Sequence, residues 1–465
     1  MRRIILLLLA VELILCHVDA QTLPFPQNAN YPFGVKPTTI NADLAKNEYN
    51  KFKSLLVTKC DDALRVIYTD DKTQTRGEGI GFGMILAGYM GDKETFDGLF
   101  EFYKKKRTPQ AKNMMAWNVT CDGYVDQGSA TDVDIDVAYA LIVGFNQWGG
   151  NYLDEARTII KLLCANIITT CGGIKTLYPG YSNGAWGGCG ETDIQYYTPA
   201  FFRVFAKVSG DKMWDTLADD SYTILNNSAN DETGLVPDWQ TASGIGLPPS
   251  YRVAYFHYDA CRVPWRMALD YLWNGNEKAK TWCTTISNWA YKIGPANIKD
   301  GYNLDGTANN GGNHNSAFVG GFAVSSMCNT QKMADEFGSE MKKISDTYWF
   351  NLSTRCLYLF TMTGNFWQPT KFENSTSTGM IKSTDGIKVF PNPSKNGTFT
   401  IEIDYASLTE NELDIEILNT EGKVVYEDTV CGNETASVDL GQVHGIYILN
   451  VKDGDLLYSE KVMVE

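Results

Sequence analysis

The chain has 465 residues, 44% of them apolar, which is enough for one large domain with a substantial core plus a small one and excludes a disordered chain. The formal charge of −15, with no basic patch, argues against a nucleic-acid surface. From Asp385 to Glu465 there are 16 acidic and 5 basic side chains, a net of −11, so most of the imbalance belongs to the C-terminal segment and says little about the substrate.

Met1-Arg2-Arg3, the apolar run from Ile4 to Leu15 and Val18-Asp19-Ala20 have the three-part pattern of a signal peptide over residues 1–20. The run is short and broken by Glu12, which argues against a membrane anchor. Of 11 cysteines, Cys16 leaves with this segment and ten meet oxidising surroundings. Cys164 with Cys171, or Cys171 with Cys189, can pair, and the sequence leaves the connectivity open. There is no Cys-x-x-Cys, and His17, His257, His314 and His444 lack ligand spacing, so neither a metal nor a cofactor is expected.

Residues 42–366 read as successive helices, with apolar residues recurring at three and four. The pattern is strongest at 80–103, 134–145, 153–164, 198–208, 212–226, 262–273, 279–289, 317–327 and 332–349. Few strands interrupt them, which favours an all-α array. Residues 373–386 are polar and rich in Ser and Thr, the composition of a linker. Beyond it the period becomes two, as at 398–403 and 413–418, with turns at Glu421-Gly422 and Asp453-Gly454. Residues 387–465 therefore read as a small antiparallel β-sandwich.

Three acidic clusters sit among glycines, aromatics or small polar residues instead of on charged helical faces. They are Gly77-Glu78-Gly79-Ile80-Gly81-Phe82-Gly83-Met84, Ser129-Ala130-Thr131-Asp132-Val133-Asp134 and Tyr258-Asp259-Ala260-Cys261-Arg262. Each acid has a plain structural reading: Glu78 as a helix N-terminal acid, Asp132 and Asp134 as an N-cap and a first-turn acid, Asp259 as a cap balanced by Arg262. The alternate glycines from Gly77 to Gly83 let a ligand or another helix approach the backbone. A pair of such carboxylates in a cleft is what glycosidic hydrolysis needs, one to protonate the leaving oxygen and one to activate water or attack.

At these residues the chain resembles glycoside hydrolase family 8. The resemblance rests on Glu78-Gly-Ile-Gly-Phe-Gly-Met, Ala130-Thr-Asp-Val-Asp-Ile-Asp-Val-Ala-Tyr-Ala-Leu with Trp148, and Tyr258-Asp-Ala-Cys-Arg-Val-Pro-Trp-Arg-Met-Ala-Leu-Asp-Tyr, in that order. It extends from about Ala42 to Pro369 through Met115-Ala-Trp117, Tyr196-Tyr-Thr-Pro-Ala, Leu235-Val-Pro-Asp-Trp239 and Gly364-Asn-Phe-Trp367. Val133 departs from the family's preference for Ala or Gly, which threatens to crowd the pocket floor. The resemblance implies an (α/α)6 barrel over residues 21–372 and hydrolysis with inversion. Glu78 would be the general acid, Asp259 the general base, and Asp132 would bind the sugar at the cleavage point. Trp117, Trp186, Tyr196 and Tyr258 are the aromatics placed in the cleft, with Arg262 supporting the base; Trp148, Trp273 and Trp289 are expected to pack. An Asp at position 259 resembles the cellulase, lichenase and xylanase group, and Met115-Ala-Trp117 the cellulases. The expected enzyme is a secreted endo-β-1,4-glucanase, with xylanase or chitosanase of the same family as alternatives and a non-catalytic surface glycan-binding protein as the rival class.

Ile387-Lys-Val-Phe-Pro-Asn-Pro-Ser-Lys, Ile417-Leu-Asn-Thr-Glu-Gly-Lys-Val-Val-Tyr, Gly445-Ile-Tyr-Ile-Leu and Lys461-Val-Met-Val-Glu resemble the sorting domain of the Bacteroidetes type IX secretion system. That segment has no Trp, which weighs against a carbohydrate-stacking module. The implied partners are a polysaccharide and the secretion machinery. The implied location is the bacterial cell surface or the medium, with a monomer as the expected unit.

Overall fold

The computed structural model describes residues 23–247, 253–309, 312–372, 380–381, 387–403, 412–420, 422–431, 436–441, 444–453 and 456–465. The expected signal peptide lies outside them. The chain divides into two compact units, Met1–Phe372 and Glu373–Glu465.

Twelve α-helices are present among the described residues of the first unit. They are α1 (Ala42–Leu56), α2 (Gly77–Met90), α3 (Lys93–Lys105), α4 (Thr131–Trp148), α5 (Tyr152–Ile167), α6 (Pro199–Ser209), α7 (Met213–Ser228), α8 (Val263–Asn274), α9 (Glu277–Ile293), α10 (Ser316–Ser326), α11 (Gln331–Met341) and α12 (Trp349–Met362). Their starts follow from local chemistry. Asn41, Asp92, Asn276, Asn315 and Thr330 each accept a backbone N–H of the helix they precede, and α6 and α8 carry Pro in the first turn. Gly91, Gly210 and Gly275 end α2, α6 and α8 in the left-handed conformation.

The helices are of two kinds, and the difference fixes their places. Every residue of α4 and α10 is buried, as is nearly every residue of α2, so these helices have no solvent face. α1, α3, α5, α9 and α11 bury one stripe and expose the other. The even-numbered helices touch in the order α2, α4, α6, α8, α10, α12, and α12 meets α2 again. The odd-numbered helices pack outside them, α3 on α2, α5 on α4, α7 on α6, α9 on α8, α11 on α10 and α1 on α12. Inside the ring, Arg266 of α8 donates to both oxygens of Asp136 of α4, at 2.5 and 2.8 Å. A paired and doubly hydrogen-bonded charge is the form in which burial is tolerated.

Two expected helices are divided. The run at 80–103 is α2 and α3, broken at Gly91, with Asp92 capping the second. The run at 332–349 is α11 followed by a turn, and α12 begins where it was expected to end.

The second unit holds a five-stranded and a three-stranded sheet over one apolar core that includes Phe399, Ile401, Ile415, Ile417, Val438, Leu449, Val451 and Val462. The period-two runs form the strands Thr398–Ile403 and Glu412–Leu418. Gly445–Asp453 and Leu456–Val464 pair in register from Gly445 with Val464 to Asp453 with Leu456. Among the described residues the pairing is antiparallel except where Met380–Ile381 runs parallel to Leu456–Leu457 and at a single parallel bridge between Ser394 and Val464. Met380–Ile381 is also the one described part of the expected linker.

Two disulfides are present among the described residues, Cys60–Cys121 and Cys171–Cys189. The second is one of the pairings left open by the sequence; Cys164 sits on α5, where its thiol donates to Asp211 Oδ2 at 3.5 Å. Cys60, Asp61 and Cys121 lie close enough to suggest a metal site, but both sulfurs are consumed by the bridge.

Candidate active site

The loop-to-helix starts of α2, α4 and α8 bring three acidic clusters to one place. Glu78 is the second residue of α2, Asp132 lies in the first turn of α4, and Asp259 precedes the single turn Ala260–Arg262 that leads into α8. The glycines of α2 are what let it approach its neighbours. A Cβ on Gly77 would sit 2.6 Å from Val133 Cγ2, and one on Gly81 would sit 2.8 Å from Asp136 Cβ. Of the two uses the sequence leaves open for these glycines, close helix packing is the one observed at both. Val133 therefore fills the space above Gly77.

Arg262 is the centre of the cluster. Only 2% exposed, it donates through Nη2 to Asp259 Oδ1 at 2.8 Å and through Nη1 to Asp132 Oδ2 at 3.3 Å. Asp132 Oδ2 also accepts from Gln195 Nε2 at 2.9 Å. Trp239 Nε1 donates to Asp259 Oδ2 at 2.9 Å, so both oxygens of Asp259 are held while its side chain stays 35% exposed. Glu78 Oε2, Asp132 Oδ1, Gln195 Oε1 and Arg76 Nη1 are buried without a hydrogen-bond partner in the protein. Four such atoms around one site are a concentration that folded proteins avoid except where a ligand meets them.

The electrostatics separate the carboxylates. Burial pushes the Glu78 carboxyl above its ordinary range, Arg262 opposes the shift, and the charge of Asp259 adds to it. Asp132 is pushed up to about 7, by burial first and by Glu78 second. Asp193 and Asp238 lie behind Asp259, both buried and both raised well above the usual carboxylate range, by burial and then by the charge of Asp259. Glu78 and Asp132 are thus both upshifted by burial, while Asp259 is the most exposed of the three and shares the Arg262 guanidinium with Asp132.

The aromatics surround this cluster. Trp186 stacks on Trp239 with centroids 6.2 Å apart, and Tyr196 meets Trp239 edge-on at 6.4 Å. Trp117 lies under the Arg76 guanidinium, 5.0 Å from its ring centre, and its carbonyl accepts from Gly77 N at 2.8 Å, next to Glu78. Tyr258 donates to Asp300 Oδ2 at 3.3 Å and packs edge-on against Phe318 and Phe350. Trp148 and Trp273 are buried in the core and Trp289 packs against it.

The structure thus brings Glu78, Asp132, Asp259, Arg262, Trp186 and Tyr196 into one interacting set, with Trp117 adjoining Glu78 and Tyr258 preceding Asp259. Arg76, Asp193, Gln195 and Asp238 went unassigned in the sequence, as did the role of Trp239. They reach the site from three separate segments, at Arg76, 193–195 and 238–239, and carry no local signature, although Asp238 and Trp239 fall within a stretch that the resemblance marks.

A helical unit with paired carboxylates among aromatics defines a carbohydrate-active enzyme by its chemistry. Comparison with known proteins makes this specific. Residues 23–364 match the model for glycosyl hydrolases family 8, and residues 388–465 match a secretion system C-terminal sorting domain. Endoglucanase 2 of Ruminiclostridium josui is 35% identical over 75% of this chain and 78% of its own length. Endoglucanase A of Acetivibrio thermocellus is 34% identical over 76% of each chain. The apo structure of a β-1,3-1,4-glucanase from Paenibacillus sp. X4 superposes with a TM-score of 0.68 at 26% identity, covering 75% of this chain and all of that one. The chain belongs to glycoside hydrolase family 8 and ends in a secretion-system sorting domain.

Proposed function

We propose that the protein is an exported, inverting endo-β-1,4-glucanase, with Glu78 as general acid, Asp259 as general base and Asp132 as the ligand of the sugar at the cleavage point. The observation that carries this reading is the arrangement around Arg262: an upshifted Glu78 with one oxygen buried and unpartnered, a partly exposed Asp259 held on both oxygens, and Asp132 on the same guanidinium with its other oxygen unpartnered. Glu78 donates its proton to the glycosidic oxygen as the C–O bond breaks. Asp259 takes a proton from the water that attacks the anomeric carbon from the opposite face, so the product has inverted configuration and each carboxyl returns to its starting state after one proton exchange. Asp132 Oδ1 is available to accept a sugar hydroxyl, while Arg262 and Gln195 fix its other oxygen. Trp117, Trp186, Tyr196 and Tyr258 offer ring faces to the apolar sides of the sugars.

We read the helical unit as an (α/α)6 barrel, supported by the closed order of contacts among the even-numbered helices, with domain limits near residues 21–372, a linker at 373–386 and a sorting β-sandwich at 387–465. The match of the C-terminal segment supports export through the type IX machinery to the cell surface or medium, and the pattern of residues 1–20 supports a signal peptide. The endoglucanase relatives favour β-glucan over xylan or chitosan as substrate. Reducing-sugar release from carboxymethyl cellulose, mixed-linkage glucan, xylan and chitosan tests the substrate. Glu78→Gln tests the mechanism: turnover falls by about 10²-fold or more with glucan binding retained. Near-normal turnover in Glu78→Gln would overturn the assignment, and release from none of the four polymers would favour a glycan-binding protein.

A further inference from the structure

We propose that Asp238 and Trp239 together position Asp259, Trp239 by orienting the carboxylate and Asp238 by fixing the turn that carries it; this rests on the reading of Asp259 as the general base. Asp238 Oδ1 accepts the backbone N–H of His257 and that of Ala260, each at 2.8 Å, and these two residues flank Tyr258-Asp259. One buried oxygen therefore clasps both ends of the turn. The next residue reaches the side chain itself, through the 2.9 Å bond from Trp239 Nε1 to Asp259 Oδ2. Arg262 Nη2 holds Oδ1 from another direction, so the plane of the carboxylate is set by donors on two separate segments.

The platform behind this pair is itself pinned on two sides. Asp238 N and Trp239 N donate to the carbonyls of Tyr255 and Val253, each at 3.0 Å, and the strand Trp239–Gln240 pairs with Thr192–Asp193. Asp238 is 2% exposed, and burial followed by the charge of Asp259 raises its carboxyl well above the usual range. A protonated Asp238 sets no second anion behind the base and still accepts the two N–H groups, so an amide at this position can do the same work. Trp239 also stacks on Trp186, so a sugar seated against that aromatic pair bears on the indole that holds the base.

The test uses the full chain carrying Trp239→Phe, Asp238→Asn or Asp238→Ala, with Asp259→Asn in parallel. Kinetics are measured on mixed-linkage glucan and unfolding midpoints on the same samples. Trp239→Phe keeps a ring and loses the donor: kcat falls about tenfold or more while KM stays within about twofold. Asp238→Ala behaves likewise, and Asp238→Asn restores kcat to within about threefold of the parent, a rescue that a requirement for charge does not give. An increased KM at unchanged kcat in Trp239→Phe would make Trp239 a binding platform and overturn the proposal. Equal damage from Asp238→Asn and Asp238→Ala would overturn the role of Asp238, and losses that merely track unfolding count against both roles. If Asp259→Asn retains turnover, the base assignment itself fails. If Asp259→Asn is inactive and Trp239→Phe keeps full kcat, only the positioning role fails.

Discussion

Replacing Gly77 by alanine is a small change with a calculable consequence. The added Cβ lies 2.6 Å from Val133 Cγ2 and 3.1 Å from Cγ1, whereas ordinary van der Waals contact begins at 3.4 Å, so the start of α2 and Val133 must separate by 0.8 Å (3.4 less 2.6). Val133 is fully buried on α4 and has little room to retreat. Overpacking of this kind costs about 1–3 kcal/mol. The residue displaced with Gly77 is Glu78, the proposed general acid, and a shift of about 1 Å at a group in that role lowers turnover by about 10²-fold. Val133→Ala removes two methyl groups and costs about 2 kcal/mol alone. In the double variant each change fills the space the other disturbs, so stability and turnover recover relative to Gly77→Ala, with a favourable coupling of about 1–3 kcal/mol. Denaturant unfolding and reducing-sugar release on the four proteins measure both quantities. A Gly77→Ala variant as stable and active as the parent, or a double variant worse than either single one, would refute the reasoning.

Other consequences follow from the same geometry. Asp132 has its carboxyl raised to about 7, so the folded state binds its proton more tightly than the unfolded chain and that contribution to stability is lost as pH rises from about 4 to 7; Asp132→Asn therefore gains thermal stability over the parent most at pH 8 and least at pH 4. Removing Cys60–Cys121, which closes a span of 61 residues, lowers stability by about 4 kcal/mol, and removing Cys171–Cys189, with a span of 18, by about 3; denaturant unfolding of Cys→Ser pairs orders them. A chain ending near residue 384 keeps hydrolysis and its unfolding midpoint, because the two units have separate cores, and in a bacterial host it fails to reach the surface or medium. A marked loss of activity on truncation would make the C-terminal unit part of the enzyme.

The three proposed site carboxylates stand out in the sequence because each has a local mark. Glu78 sits in a glycine series, Asp132 in an acid-rich helix start, and Asp259 three residues before its guanidinium, and the structure places all three around Arg262. The outer helices were legible from their one-sided apolar stripes. The break at Gly91 was not read, although Gly91 and Asp92 are an ordinary stop and start, because the apolar spacing of α2 resumes at Phe96, Leu99 and Phe100 of α3 after a gap of one turn. The concern over Val133 changes sense once Gly77 is seen opposite it, a pairing 56 residues apart that no local pattern reports. Asp193, Gln195, Asp238 and Trp239 lie in or beside two-residue strands too short to show a period; they meet the carboxylates only because strand pairing brings Asp193 opposite Trp239 and the turn at 257–260 onto Asp238. The Cys60–Cys121 bridge was missed for the same reason.

The central claim is a two-carboxylate hydrolysis in which water attacks the face opposite the leaving group. Proton NMR of a β-1,4-glucan digest, recorded in the first minutes before mutarotation, reads the configuration of the newly formed reducing end. Inversion gives the α anomer as the first product, decaying toward the equilibrium mixture; a first product with the β configuration would rule out inversion, since that outcome requires a covalent intermediate on one carboxylate in place of the acid and base pair of Glu78 and Asp259.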